Sequence, residues 1–395
     1  MSAVLVINAG SSSIKYQLID TLSGERLAHG LIERIGEPMG RVSHRAGGAR
    51  HDRDAPIPDH SAGFAAMAET FAAAGMPLDR LGIRAVGHRV VQGGSEFTAP
   101  TLIDDAVERR ILELADLAPL HNPGHHQAIL AARAAFPDVP HVAVFDTTFH
   151  QTMPEKAYTY AIDREVAAAH GVRRYGFHGI SYQVVSRRAA ELLGRPVAEL
   201  RQIVLHLGNG ASACAIDGGR SVDTSMGLTP LEGLVMGSRG GDIDPGALLH
   251  LLRAGMTVDE LDRLLNRGSG LVGLGGSLDM RDLTAAATAG DAGARLAFEV
   301  YVHRIRRYLG AYLLELGGAD AIVFTAGVGE NHAPTRWAVC AGLEGFGIEL
   351  DPAANEAPAG GPRRISAPSS RVAVLVVPTD EEAEIARQTW ELVAS

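Results

Sequence analysis

The chain has 395 residues, a formal net charge of −10 and 46% apolar residues. That length suggests two domains, and the acidity argues against a nucleic-acid backbone as the main partner. No apolar run approaches the length of a membrane span, and Cys214 and Cys340 stand far apart and outside any metal pattern, so a reducing cytoplasm and no membrane are expected.

The first element is Val4–Ile7, an apolar, β-branched-rich strand. Asn8 ends it, Ala9-Gly10 permits a tight turn, and Ser11, Ser12 and Ser13 bring three hydroxyls before Lys15 and a second strand to Asp20. A strand, a small-residue turn rich in donors and a lysine suit a phosphate cradle as readily as a solvated serine turn. The spacing is neither that of a P-loop nor that of a dinucleotide fingerprint, and no helix pattern follows. The chain has only two lysines, Lys15 and Lys156, so the cation in this loop is unusual here.

Residues 41–59, rich in Arg, His, Asp and Pro, read as an exposed loop or irregular edge strands, and 61–76 as a helix. Residues 83–87 form a short strand leading into His88-Arg89 and the Gly93-Gly94 exit, where open α/β sheets place ligands. Arg89 suits a ligand or a surface ion pair. Residues 102–117 read as an amphipathic helix. His121, His125 and His126 invite a zinc reading, but Pro123-Gly124 interrupts the helical register that paired ligands need, and no thiolate or carboxylate completes a set. Substrate contact by His121 or Asn122 stays open. Val139–Phe145 reads as a second buried strand, with Asp146 at its end able to position a nucleophile, orient a hydrated metal ion or cap the next segment.

His178, between Phe177 and Gly179, either donates to an anion or is a satisfied core histidine. It precedes a helix through Leu193. Ile203–Asp217 then repeats the opening pattern about half a chain later: apolar strand, small polar turn (Gly208-Asn209-Gly210), second strand ending in Asp. Two such hairpins suggest internal duplication. Arg239 is set among glycines and can reach into a cleft, with Asp242 and Asp244 able to steer it or cap the following helix. Asp279-Met280-Arg281 precedes an Ala-rich helix, 294–317 reads as a longer one, 321–331 as a strand with a glycine turn, 372–377 as a buried strand, and Glu381 opens the last helix.

At this point VLVINAGSSSIKYQL, GHRVVQGG, APLHNP, FDTTFH, YGFHGISY, HLGNGAS, GSRGGDIDP, FTAGVGEN and PTDEE stand in order from position 4 to 382. In these motifs the chain resembles the acetate kinase family, in the acetate and sugar kinase/Hsp70/actin superfamily. The resemblance implies an α/β fold of two duplicated actin-like (ribonuclease H-like) domains, each a mixed sheet flanked by helices, with an ATP cleft between them. The domains would be 1–148, completed by the C-terminal helix 381–395, and 149–380, which would carry nucleotide binding and dimerisation.

The implied reaction is reversible, Mg²⁺-dependent transfer of the ATP γ-phosphoryl group to the acetate carboxylate, giving acetyl phosphate and ADP. Mn²⁺ could substitute for Mg²⁺. Propionate or butyrate as acceptor is the alternative within the family, and a non-catalytic actin-like ATP-binding module is the alternative outside it. Arg89, Asp146, His178 and Arg239 would be catalytic. Val91, Leu120, Phe177 and Pro230 would join Arg89 around the acid. Ser11, Ser13, Lys15, His206, Leu207, Gly208, Asn209, Gly210, Asp279, Met280, Arg281, Gly327, Val328, Gly329, Glu330 and Asn331 would bind ATP, and Asn8 and Glu381 would hold Mg²⁺. A homodimer is implied. Gln92, Ser238 and Leu278 depart from the commonest pattern of the family and touch acid or nucleotide preference.

Overall fold

A computed structural model describes residues 2–119, 121–358 and 360–394. Leu120, one of the expected acid-binding residues, lies outside them. The chain divides into two compact units, Met1–Thr148 with Asp380–Ser395, and Phe149–Thr379.

The first unit holds β1 (Ala3–Ala9), β2 (Ser13–Asp20), β3 (Arg26–Glu33), β4 (Gly40–Ala46), β5 (Ala49–Ala55), β6 (Ile83–Val90), β7 (Thr101–Leu102) and β8 (His141–Phe145) in one sheet, ordered β5-β4-β3-β2-β1-β6-β8-β7. β1 pairs antiparallel with β2 and parallel with β6. The second unit holds β9 (Arg201–Leu207), β10 (Ala211–Asp217), β11 (Arg220–Thr224), β12 (Ala321–Thr325), β13 (Arg363–Arg364) and β14 (Ala373–Val376), ordered β11-β10-β9-β12-β14-β13. There β9 pairs antiparallel with β10 and parallel with β12. Strip β4 and β5 from the first sheet and the two orders coincide. In each, two antiparallel pairings lead to the first strand, two parallel pairings follow, and an antiparallel edge strand closes the row. The duplication suggested by the two hairpins is thus a duplication of whole sheets.

β1 is buried on both faces, which is why it reads as a continuous apolar run rather than an alternation. Phe64, Met67 and Phe71 of the helix His60–Ala73 and Ala128, Ala131 and Ala132 of the helix Asn122–Ala135 share one core with Leu5, Ile7 and Ile14. The C-terminal helix Glu381–Ala394 packs on β1, β6 and β8. In the second unit, Tyr182, Val185 and Ala189 of the helix Gly179–Leu193 pack on Val204, Val323 and Leu375.

Four expectations change. Residues 41–59, expected as an exposed loop or irregular edge strands, fall largely in two regular strands, β4 and β5, at one edge of the sheet. In β4, Gly40, Val42, His44 and Ala46 are buried while Arg41 and Arg45 point out, a period of two hidden by polar composition. The 102–117 helix shortens to Asp105–Glu113 and ends in a 3₁₀ turn. Pro123 does not break a helix. It lies in the first turn of Asn122–Ala135, where its missing N–H has no intrahelical partner to lose. The glycine turn after β12 is the short helix Ala326–Asn331.

Asn122 is fully buried and ties three backbone groups together. Its Oδ1 accepts from Gln92 N (3.2 Å), and its Nδ2 donates to the carbonyls of Gln92 and Ile111 (both 3.1 Å). Asn122→Ala strands these groups in the core, and a loss of about 2–4 kcal/mol is expected, read as a lower denaturant midpoint at unchanged slope. On β11, burial pushes the Asp223 carboxyl up to about 6, with Arg174 pulling it down. A raised folded value means that Asp223 supports the fold fully when protonated, below about pH 4, and that this support is lost as pH rises through about 6. Asp223→Asn should therefore match the wild type near pH 4 and exceed it by about 2–3 kcal/mol above pH 7, in melting curves taken across that range.

Candidate functional site

In the second unit the sheet delivers its chemistry at the ends of β9 and β12. Past Leu207 the chain turns through Gly208-Asn209-Gly210, with Gly208 N donating to Gly210 O at 3.1 Å. The segment before Arg239 lies against this turn, and Gly237 N donates to Asn209 O at 2.9 Å. A Cβ on Gly237 would stand 2.0 Å from Asn209 Oδ1, so a larger residue there would displace the Asn209 amide from its present place.

His178 stands over the turn as the N-cap residue of Gly179–Leu193, at φ 59° and ψ 20°, a left-handed conformation uncommon for a side chain of this kind. Its Nδ1 lies 2.7 Å from Ser212 Oγ, and Ser212 Oγ also meets the buried Tyr182 hydroxyl. The His178 ring stacks on His206, with centroids 4.0 Å apart and planes 15° from parallel. His206 Nδ1 lies 2.8 Å from Ser181 Oγ. A methyl built on Gly210 would lie 3.6 Å from His178 Nε2 and 3.9 Å from Arg239 Nη1, so both groups converge above the glycine turn. Arg239 is half-buried. Its Nη1 donates to Pro230 O at 3.2 Å, and no carboxylate pairs with it among the described residues. Burial alone pulls its pKa down, with no counter-charge to restore it. Asp242 and Asp244 do not steer it. Asp242 takes Tyr308, Gly233 N and Arg304, and Asp244 caps the helix Pro245–Arg253.

Beside the turn lies a cavity of about 380 Å³, whose wall includes Gly208, Asn209, Asp279, Met280, Arg281, Gly327, Val328 and Asn331. Eight of the residues expected at ATP therefore meet at one hollow. Leu271, Leu278 and Met280 give it an apolar side. Asp279 caps the helix Met280–Thr288 and is bound by its own Arg281, which holds the carboxyl down at about 2. The remaining expected ATP residues are placed otherwise. Leu207 is wholly buried, and Glu330 turns inward to accept from Ala326 N (2.9 Å) and Thr379 N (3.2 Å). Burial raises the Glu330 pKa against those two bonds. Phe177 is buried, and its carbonyl lies 2.9 Å from His150 Nε2.

Sequence reasoning missed Gly237, Leu271 and His332 in the cavity wall. It also missed Arg336, which is almost wholly buried with no carboxylate partner among the described residues. Arg336 donates to the carbonyls of Gly329 (2.9 Å) and Glu330 (3.0 Å) and so holds the cavity loop from behind. The family-like FTAGVGEN run ends five residues before it, and nothing in the local pattern marks it.

In the first unit the site residues gather at the ends of β1, β6 and β8. Arg89 is gripped by both oxygens of Asp146, Nε to Oδ1 at 3.0 Å and Nη2 to Oδ2 at 2.7 Å, and its Nη1 lies 3.5 Å from Glu381. Burial opposes the Arg89 charge, but Asp146, then Glu381, more than compensate. Glu381 is pushed up by burial, with Arg89 opposing. Asp146, expected to help position Mg²⁺ and substrate, presents both of its oxygens to Arg89 and orients the guanidinium. Lys15, expected at ATP, is half-exposed and paired with Glu382. Neither the Ser11 nor the Ser13 hydroxyl has a partner among the described residues, while Gly10 O lies 2.9 Å from His60 Nε2 and Gly10 N is bonded to Ser13 O. Gly124 packs against this loop so closely that a Cβ would meet Ser11 N at 2.9 Å. Val91 and Asn8 follow and precede the ends of their strands, Val91 buried and Asn8 half-buried. His125 is buried, with its pKa drawn down to about 3 by burial and then by Arg89, and His126 faces Glu108 at 3.4 Å. Among the described residues no cluster of three His, Cys, Asp or Glu could hold a metal ion by itself.

Residues 3–387 match the model of the acetokinase family. A protein from Leifsonia xyli subsp. xyli named acetate kinase is 61% identical over 396 residues, covering 100% of both chains. One of the same name from Clavibacter michiganensis subsp. michiganensis is 60% identical, again covering 100% of both. Among solved structures, an acetate kinase from Porphyromonas gingivalis superposes with a TM-score of 0.94 at 42% identity, covering 100% of both chains. A propionate kinase from Francisella tularensis superposes at 0.93 and 38% identity, covering 99% of this chain and 100% of that one. With the match running through both units and the duplicated actin-like fold shared, the chain belongs to the acetokinase family.

Proposed function

We propose that this chain is an acetate kinase, transferring the γ-phosphoryl group of ATP to acetate to give acetyl phosphate and ADP, reversibly. The observation that carries this reading is Arg239: a half-buried guanidinium with no carboxylate partner among the described residues, converging with His178 Nε2 over Gly210 beside the cavity. A bare ATP switch has no need of an uncompensated cation. A transfer in which negative charge spreads over phosphoryl oxygens does.

The acceptor carboxylate is ionised at neutral pH, so no strong base is needed, and catalysis rests on alignment and charge. Arg239 supplies the planar fork that matches carboxylate or phosphoryl oxygens. For His178 the surrounding hydroxyls favour one tautomer. With Tyr182 donating to Ser212 Oγ and Ser212 donating to His178 Nδ1, the ring proton would sit on Nε2 and could be donated to the transferring phosphoryl. Arg89, oriented by Asp146 and with Nη1 3.5 Å from Glu381, would bind the acid carboxylate. Val91, Phe177 and Pro230 would surround the methyl group. The glycine turn at Gly208–Gly210 would receive the phosphates, and the Met280 and Leu278 side of the cavity the adenine.

The donor set fits Mg²⁺, which prefers oxygen ligands and retains waters. Asn8 and Glu381 would hold it, and when bound the ion would neutralise phosphate charge. Mn²⁺ offers a similar preference for oxygen. The two buried thiols, Cys214 and Cys340, support a cytoplasmic setting, and among the described residues no helix is long and apolar enough to cross a membrane. A homodimer through the second unit is part of the same reading, supported by the exposed Ile162, Val166, Ile243 and Leu249 there. Propionate is the second reading, favoured by the Francisella propionate kinase among the structural relatives.

Trapping acyl phosphate with hydroxylamine across acetate, propionate and butyrate tests the reaction. Highest kcat/KM for acetate is expected, and a propionate one methylene larger should be slower by roughly 10- to 200-fold. A preference for butyrate would refute the assignment. Arg239→Ala should lower kcat by at least about a hundredfold with a small change in KM for ATP. Ser212→Ala, which frees the His178 tautomer, should lower kcat by about tenfold at unchanged KM for ATP.

A further inference from the structure

The second unit holds another, larger cavity of about 710 Å³, away from the residues discussed so far. Leu309, Leu313 and Leu314, on the last turns of the helix Ala292–Glu315, form one wall, and Phe346 and Val372 belong to the rest. Arg201 opens β9 and Val372 precedes β14, so the cavity lies at the N-terminal ends of these strands. The nucleotide cavity lies at the opposite end of β9, a strand of seven residues spanning roughly 20 Å.

We propose that this cavity binds an amphiphilic carboxylate, with its hydrocarbon chain against Leu309, Leu313 and Phe346 and its head on Arg371 and Arg306. Three arginines and no acidic residue line the cavity, on a chain whose net charge is −10. Arg201 is already engaged, donating to the carbonyls of Leu316 and Gly317 and facing Asp320. Arg306 donates to three carbonyls around Ala338–Ala341, but neither it nor Arg371 has a carboxylate partner among the described residues. Two cations without counter-ions beside an apolar wall complement an anion that carries a chain. Apolar surface is also left uncovered, since Leu314 is 85% and Phe346 66% exposed. Gly310 supplies an independent sign. It lies inside a helix, where glycine is unfavourable, and a Cβ there would meet nothing within 4 Å. Packing does not require glycine at this position, and the missing side chain enlarges the cavity it lines. The volume is in the range of small-molecule sites.

Calorimetric titration of the enzyme with decanoate below its micelle concentration, in saturating ADP and excess acetate so that the catalytic site is filled, tests the proposal. Saturable binding with one site per chain is expected. Decanol, which lacks the charge, should bind at least about tenfold more weakly, and Arg371→Ala should weaken decanoate by a similar factor. Gly310→Leu should abolish binding while acetyl phosphate formation is retained. The proposal is overturned if no saturable heat appears, if decanol binds as tightly as decanoate, or if folded Gly310→Leu binds decanoate like the wild type. If Gly310→Leu does not fold, decanol and Arg371→Ala decide it. Sedimentation separates the other occupant: a wild type that binds no decanoate but loses self-association in Gly310→Leu would make this surface a contact between copies and overturn the ligand site.

Discussion

A cation removed from water without a counter-charge is the constraint on which the site depends. Arg239 is in that position, held by the Pro230 carbonyl with no carboxylate partner among the described residues. Such a group is costly in the free protein and favourable as soon as an anion arrives. Arg89 shows the opposite solution. It is anchored by Asp146 and approached by Glu381, so its charge is held and its plane is oriented. One arginine is held by compensation and the other lacks it among the described residues, and on the proposed reading the second would contribute the larger gain as phosphoryl charge develops.

The same sheet plan is used twice, although Arg89 lies at the end of β6 and Arg239 in the segment after β11. In each unit an antiparallel hairpin meets a parallel neighbour at the strand that begins the fold, which leaves small-residue turns at the strand ends. Glycine is needed where Gly124 meets Ser11, because backbone comes within contact of backbone there, and at Gly237 a larger residue would displace the Asn209 amide. The left-handed His178 belongs to the same economy of space. Its left-handed backbone turns the ring onto His206 and toward Ser212, whose hydroxyl is in turn met by that of Tyr182.

Much of the fold was legible. β1, β9 and β12 are buried on both faces, so their sequences read as apolar runs that composition alone identifies. The cavity residues Asp279–Arg281, Gly327, Val328 and Asn331 were legible through the family resemblance, not through their own spacing. β4 was not legible, because its arginines and histidines mask a period of two. The start of Asn122–Ala135 was misread because Pro123 signals interruption in a helix interior but not in a first turn. Arg336 had no signal, since four carbonyl and amide acceptors from Gly329, Glu330 and Asn355 hold it and only folding assembles them.

By itself the sequence determined which segments are buried, where the chain must turn, the repetition of the hairpin and the residue types available for phosphoryl chemistry. These depend on neighbours along the chain, which local preference and patterning report. Only the tertiary structure decided which charges are paired. Asp146 became the partner of Arg89, Lys15 that of Glu382, and Glu330 an inward cap, while Arg239 has no carboxylate partner among the described residues. Pairing is set by distance in space between residues far apart in sequence, and the strength of each charge is set by how much water the fold removes around it.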